Sequence, residues 1–193
     1  DLIKEMNQHG ILIDMSHTGE RTSMDTIEAS SKPVAITHAN PKFIKDTQRN
    51  KSDNMLKALA DSGGVLGLAA YPHLFASNAT VKQFCEMVHR TVDLMGIQHV
   101  GIGTDQHLGF SPGAKKFWVQ GRFSRHVPSF MASQGFLSSD WDGEDVQWAS
   151  WIETPADMQN IVRGLREYGF GHEEVEAIMG GNWLRLFEET FAN

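Results

Sequence analysis

Two kinds of apolar run alternate along this chain. The short kind comprises Ile11-Leu12-Ile13, Val34-Ala35-Ile36, Gly64 to Ala70 and His99 to Asp105. These runs are too brief for helices, partly β-branched and punctuated by Gly10, Pro33, Gly64 and Gly96. Strands buried on both faces have this pattern. The long kind repeats its apolar residues at helical spacing. Leu2 to Gln8 is a helix tail closed by Gly10, and Arg21 to Ser31 carries Met24 and Ile27. Ser52 or Asp53 can cap a helix through Ala60. Thr80 to Met95 sets Val81, Phe84, Cys85, Val88, Val92 and Met95 on one side. Thr154-Pro155 opens a helix through Tyr168, followed by Glu173 to Met179 and by Asn182 to Phe191.

The alternation predicts an α/β fold of four β/α units with parallel strands. Polar residues where such strands stop suggest a (β/α)8 TIM-type barrel, which needs eight strands and typically ~250 residues. Four units are half of one. The chain is then either a smaller open sheet or the C-terminal half of a barrel, with residues 1–193 a single partial domain. Between Gln106 and Trp151 the periodicity disappears, and Phe117-Trp118, Trp141, Trp148 and Trp151 enrich the stretch in aromatics. An insertion this long is usually functional or mobile. Since it leaves the last strand at Asp105, it is expected to overhang the site. Decoration of the surface is the equal alternative.

Composition narrows the partners. Hydrophobic residues make up 40% and charged ones 21%, which suits a folded globular chain. With a net charge of -7 and scattered lysines and arginines, nothing suggests a nucleic-acid surface. No apolar run approaches the ~20 residues of a membrane span. Because the chain starts at Asp1 without Met, a removed leader is conceivable and the compartment stays open. The single Cys85 excludes an internal disulfide, and its helical core position favours an inert thiol over a nucleophile.

The chemistry gathers at strand ends. His17, His38 and Asp105 each terminate a different predicted strand, and imidazole nitrogens with a carboxylate suit a divalent transition metal, zinc first. A lone histidine is more often structural than a ligand. Two at the same end of adjacent buried strands are harder to dismiss. Other candidates are weaker. Gly101 and Gly103 begin a dinucleotide fingerprint that fails at Gln106. His172-Glu173 begins a zinc-protease helix, but position 176 is Glu. Ser16 has no triad context, and His9, His73, His89, His99, His107 and His126 follow no ligand pattern.

The motifs G-I-L-I-D-M-S-H, P-V-A-I-T-H-A-N, Gln48-Arg49-Asn50, H-V-G-I-G-T-D and G-G-N-W-L-R-L-F together resemble the renal (membrane) dipeptidase family. Its members are metal-dependent dipeptidases of the amidohydrolase-like barrel group. The 21-residue step from His17 to His38 and the 11-residue step from His38 to Arg49 are also similar to that family's. The resemblance implies that His17 and His38 ligate one ion of a binuclear zinc pair. Arg49 would bind the substrate's terminal carboxylate. Asp105 would serve catalysis and the substrate's amino group beside the other ion. Two features depart from the pattern. Gln106-His107 replace a second Asp, and the family's His-x-Asp, bridging Glu and substrate-polarising His have no counterpart here.

The resemblance thus implies zinc-dependent hydrolysis of dipeptides, with the missing N-terminal half of the barrel supplied by an upstream segment. Residues 1–193 are expected to be inactive alone, and a homodimer is left open. Two alternatives stand beside this reading. One is a binding or assembly module with a degenerate site, and the other is a barrel metallohydrolase acting on lactones or cyclic amides.

Overall fold

The computed structural model describes residues 1–106 and 149–191. The predicted insertion therefore lies almost wholly outside the described residues, as do His107 and His126. The helices are α1 (Leu2–Gln8), α2 (Glu20–Ala29), α3 (Asp53–Asp61), α4 (Val81–Met95), α5 (Met158–Tyr168), α6 (His172–Glu176) and α7 (Asn182–Phe191). The strands are β1 (Ala35–Ile36), β2 (Val65–Leu68) and β3 (Val100–Ile102), paired in parallel in that order. Sequence signals fix several boundaries. Ser52 Oγ accepts the Met55 N–H at 3.3 Å, and Thr80 and Gln83 cap each other at the start of α4.

One expectation needs correction. Ile11-Leu12-Ile13 is not a strand, so the described sheet has three strands rather than four. The segment joins β1 through a single parallel bridge, Asp14 to Ala35. Around it Ala35 N–H donates to the Ile13 carbonyl, and Met15 N–H to the Ala35 carbonyl, both at 2.9 Å. The physical reason is position. The segment lies at the sheet edge, where Ile11 is 49% exposed, so its apolar run is not held on both faces.

The two sheet faces bury different residues. Ile36, Leu66, Leu68, Val100 and Ile102 join Met55, Leu56, Leu59, Phe84, Met87, Ile161 and Leu165 in the main core. Ala35 and Val65, on the other face, pack with Leu12, Trp183 and Leu186, so α7 lies across it. Glycines make this approach feasible. A Cβ on Gly101 would meet Trp183 Nε1 at 2.5 Å, and Cβ atoms on Gly67 or Gly103 would collide with the Thr37 carbonyl. Asn182 Nδ2 donates to the Ile97 and Val100 carbonyls at 2.7 Å each and anchors the start of α7. A stripe of α7 beside this packed face leaves Leu184, Phe187 and Phe191 exposed, with Trp183, Phe187 and Phe191 stacked in series. Among the described residues no helix is long and apolar enough to cross a membrane.

Phe84 shows what the core is worth. It is fully buried on α4, edge-on to Phe75 and tilted against Trp151 with centroids 6.1 and 5.3 Å away. Truncation leaves a cavity that stiff neighbours cannot fill. We expect Phe84→Ala to cost about 3–5 kcal/mol in urea unfolding, visible as a lowered midpoint.

Candidate metal and substrate site

Parallel strands deliver their C-terminal ends to one side of a sheet, and here four of the chain's polar residues arrive there. His17 follows the Asp14 bridge by three residues and His38 follows β1 by two. Tyr71 and Asp105 each follow β2 or β3 by three. The structure brings His17 and His38 together, with Nε2 atoms 2.9 Å apart and ring centroids 5.0 Å apart. Asp105 is exposed and its charge acts on His17, His38 and Arg49 alike. Its backbone has φ +55°, a left-handed conformation that Asp tolerates better than most residues.

A carboxylate that the sequence motif does not advertise organises the histidines. Asp14 Oδ1 accepts Ser16 N–H at 3.0 Å, Ser16 Oγ at 2.6 Å and Thr37 N–H at 3.0 Å. Its Oδ2 accepts Thr37 Oγ1 at 2.7 Å. Thr37 Oγ1 in turn lies 2.9 Å from His38 Nδ1, and Ser16 Oγ accepts the His38 N–H at 3.0 Å. Burial works against charge on Asp14, but the donors from Ser16 and Thr37 outweigh it and lower its pKa. Ser16, which lacks any triad context, is thus part of a scaffold.

Residues 39–51, a polar loop between β1 and α3, are largely folded inward. Asn40 pairs with the Ala69 backbone in both directions at 2.9 Å, and Asn50 Nδ2 reaches the Lys45 and Leu74 carbonyls at 2.8 Å each. Arg49 and Lys51 are buried with them. Lys51 Nζ donates to the Met15 and Thr18 carbonyls at 3.0 and 2.9 Å, and Arg49 Nε to the Ser16 carbonyl at 3.3 Å. Two cations therefore grip the backbone on either side of His17. Burial and then Arg49 hold the Lys51 ammonium down to about 8. Burial lowers the Arg49 guanidinium as well, against the attraction of Asp105, Tyr71 and Asp14.

The histidines respond to the same surroundings. Partial burial, Arg49 and His38 bring His17 down to about 4, against the opposing pull of Asp105 and Asp14. Burial is also the main cause that lowers His38. Both rings are therefore neutral at pH 7 and carry a lone pair, as metal ligation requires. Two nitrogens each ~2.0–2.1 Å from a tetrahedral zinc ion would sit about 3.3 Å apart, so a small spreading of the pair accommodates one ion. Among the described residues no group of three His, Cys, Asp or Glu is gathered closely enough to hold an ion. The pair fits as part of a donor set.

Comparison with known proteins fixes the family. A family model described as membrane dipeptidase (peptidase family M19) matches residues 1–115. The chain belongs to this family. Over 99% of its length it is 31% identical to an uncharacterized protein in the pqqA 5′ region of Klebsiella pneumoniae and spans 59% of that relative. It is 24% identical to Dipeptidase tcpJ of Claviceps purpurea over 98% of its length, spanning 37% of that protein. Among solved structures, an amidohydrolase from Pseudomonas aeruginosa superposes with a TM-score of 0.80 at 27% identity. All of this chain and 56% of that one are covered. A Rhodobacter sphaeroides metallo peptidase, solved with a phosphinate mimic of the dipeptide L-Ala-D-Ala, superposes at 0.73 with 19% identity. This chain spans 45% of it, and at that identity the likeness shows the fold alone. The α/β fold is thus that of the dipeptidase relatives, of which the chain covers about half or less.

Asp14, Thr37, Lys51 and Tyr71 are the neighbours that the motif reading did not single out. Of the other described histidines, His9, His89, His99 and His172 pair elsewhere, while His73 sets its ring 5.0 Å from that of Tyr71. His73, in the turn after β2, is 1% exposed, and burial with help from Lys45 holds it down to about 3. Cys85 is fully buried and its thiol is pushed up to about 11 by burial, in keeping with an inert role.

His73 generates a pH prediction. The unfolded chain takes up a proton near pH 6.5 that the folded chain refuses until about 3. Its contribution is therefore full above pH 6.5 and lost as pH falls toward 3. The slope approaches about 1.4 kcal/mol per pH unit. Urea midpoints measured between pH 7 and 4.5 should fall more steeply for the wild type than for His73→Leu. Parallel curves would remove His73 from the account.

Proposed function

We propose that this protein is a zinc-dependent dipeptidase whose site uses His17, His38, Arg49 and Asp105. The observation that carries the reading is the His17–His38 pair, Nε2 to Nε2 at 2.9 Å, at strand ends in a chain of a dipeptidase family. His17 and His38 hold one ion of a pair, and the remaining ligands come from a segment beyond these 193 residues. A bound ion would supply Lewis acidity there, of the kind that polarises a carbonyl and eases deprotonation of water. Arg49 receives the substrate's terminal carboxylate. Its Nε is committed to the Ser16 carbonyl, which orients the guanidinium plane beside the histidines. Asp105, whose charge already acts on all three, receives the substrate's amino group or a proton.

Residues 1–193 in this reading are half of a (β/α)8 barrel. Supporting it are the shortfall in donors among the described residues, the relatives' greater length and the uncovered Leu184, Phe187 and Phe191 face of α7. The shortfall also favours a second reading, a binding module with a degenerate site. Zinc content separates the two. Expressed alone, residues 1–193 should bind fewer than two zinc ions and turn over no dipeptide. Co-expression with a dipeptidase N-terminal half should restore both. Two tightly held ions with full turnover from this chain by itself would refute the half-barrel reading.

Arg49 provides the test of substrate class. A lysine cannot copy a bidentate clamp, so in the complete enzyme Arg49→Lys should raise KM for dipeptides by roughly 10–100-fold. Dipeptide amides, lacking the carboxylate, should be poor substrates of the wild type. Equal hydrolysis of amide and free acid by the wild type would remove Arg49 from this role.

A further inference from the structure

We infer that Asp14, acting through Thr37, is a positioning residue that locks the neutral His38 ring in its Nδ1–H tautomer. The inference rests on a count of protons. An ionised carboxylate can only accept, and Asp14 accepts from both hydroxyls in its reach, Ser16 Oγ at 2.6 Å and Thr37 Oγ1 at 2.7 Å. Each hydroxyl has one proton, and both are thereby spent. The 3.0 Å approach of Ser16 Oγ to Thr37 Oγ1 consequently carries no proton.

Thr37 Oγ1 can then meet His38 Nδ1, 2.9 Å away, only as an acceptor. Nδ1 must carry the hydrogen, and Nε2 must carry the lone pair. That lone pair faces His17 Nε2 at 2.9 Å, so in the metal-free protein His17 is the donor and holds the opposite, Nε2–H tautomer. The His38 backbone is pinned at the same time, its N–H donating to Ser16 Oγ at 3.0 Å. One carboxylate thus fixes both which nitrogen of His38 is available and where it points. A partner on the far ring nitrogen is how protein sites commonly set the tautomer of a metal-bound histidine.

The importance of this lock for metal binding rests on the proposed ligand role of His17 and His38, but the tautomer itself does not. The test is nitrogen NMR of the histidine rings in the metal-free protein at pH 8, followed by zinc titration. In the wild type His38 should give an Nδ1–H pattern and His17 an Nε2–H pattern, with His17 switching to Nδ1–H as zinc binds. Asp14→Asn can turn its amide donor toward Thr37, which frees the threonine proton for Nδ1. His38 should then move to Nε2–H, and zinc affinity should fall by about 10–100-fold. Thr37→Val should give mixed tautomers, while Thr37→Ser, which keeps the hydroxyl, should restore the wild-type pattern and serve as the folded control. An Nε2–H His38 in the wild type, or an unchanged tautomer in both Asp14→Asn and Thr37→Val, would overturn the inference. The expected tautomers in the complete enzyme, carrying its other barrel half, together with no zinc binding would uphold the lock and sink the ligand assignment instead.

Discussion

Much of this structure hangs on one carboxylate. The segment that leads to His17 makes a single ladder contact with the sheet, the bridge between Asp14 and Ala35. A short exposed edge of this kind would fray if backbone pairing alone held it. The Asp14 side chain accepts four hydrogen bonds, two from Ser16 and two from Thr37, and so crosses from the edge to the end of β1. Charge-assisted bonds are the stronger class, and their geometry leaves little freedom for either histidine. The same contacts that secure the edge therefore set the approach of the two rings.

Lys51 and Arg49 complete the frame from the other side. Burying a cation is costly unless its donors are satisfied, and Lys51 meets that cost with the Met15 and Thr18 carbonyls. Those carbonyls flank His17, so the ammonium closes the turn that presents the ring. The parallel bridge from Pro41 to Lys51 and the Asn40 and Asn50 bonds give the cation a rigid base on β2's exit. A stretch rich in Lys and Asn is in this way built into the interior.

The sequence made some of this legible and not the rest, for identifiable reasons. A polar residue ending an apolar run is visible in one dimension, which is why His17, His38 and Asp105 stand out. Helix limits were readable where caps are local, as at Ser52 and Thr80. Ile11-Leu12-Ile13 misled because an apolar run does not reveal whether both faces are covered, and Ile11 is exposed. Asp14 was invisible because its partner Thr37 lies 23 residues away. The burial of residues 39–51 was not legible either, since nothing local tells that the Asn40 and Asn50 side chains will find backbone partners at Ala69 and Leu74. The metal roles of the histidines and the substrate role of Arg49 come from family resemblance and were never present in the spacing alone.

The electrostatics of the site follow from this frame and bear on what it can hold. Arg49 pushes the imidazoles toward their neutral forms, while Asp14 and Asp105 pull the other way. Partial burial decides the contest in favour of neutrality, and His17 falls to about 4. Neutral rings have one free nitrogen each, and two free nitrogens facing each other at 2.9 Å cannot both keep lone pairs pointed inward without a proton or a cation between them. In the metal-free protein a ring proton fills that place. A divalent cation taking that place would shift the proton to His17 Nδ1, leaving both rings neutral, and would gain the field of two nearby carboxylates. The pair thus shares one ring proton between its facing nitrogens, and in the proposed dipeptidase reading that same place is where an ion would sit.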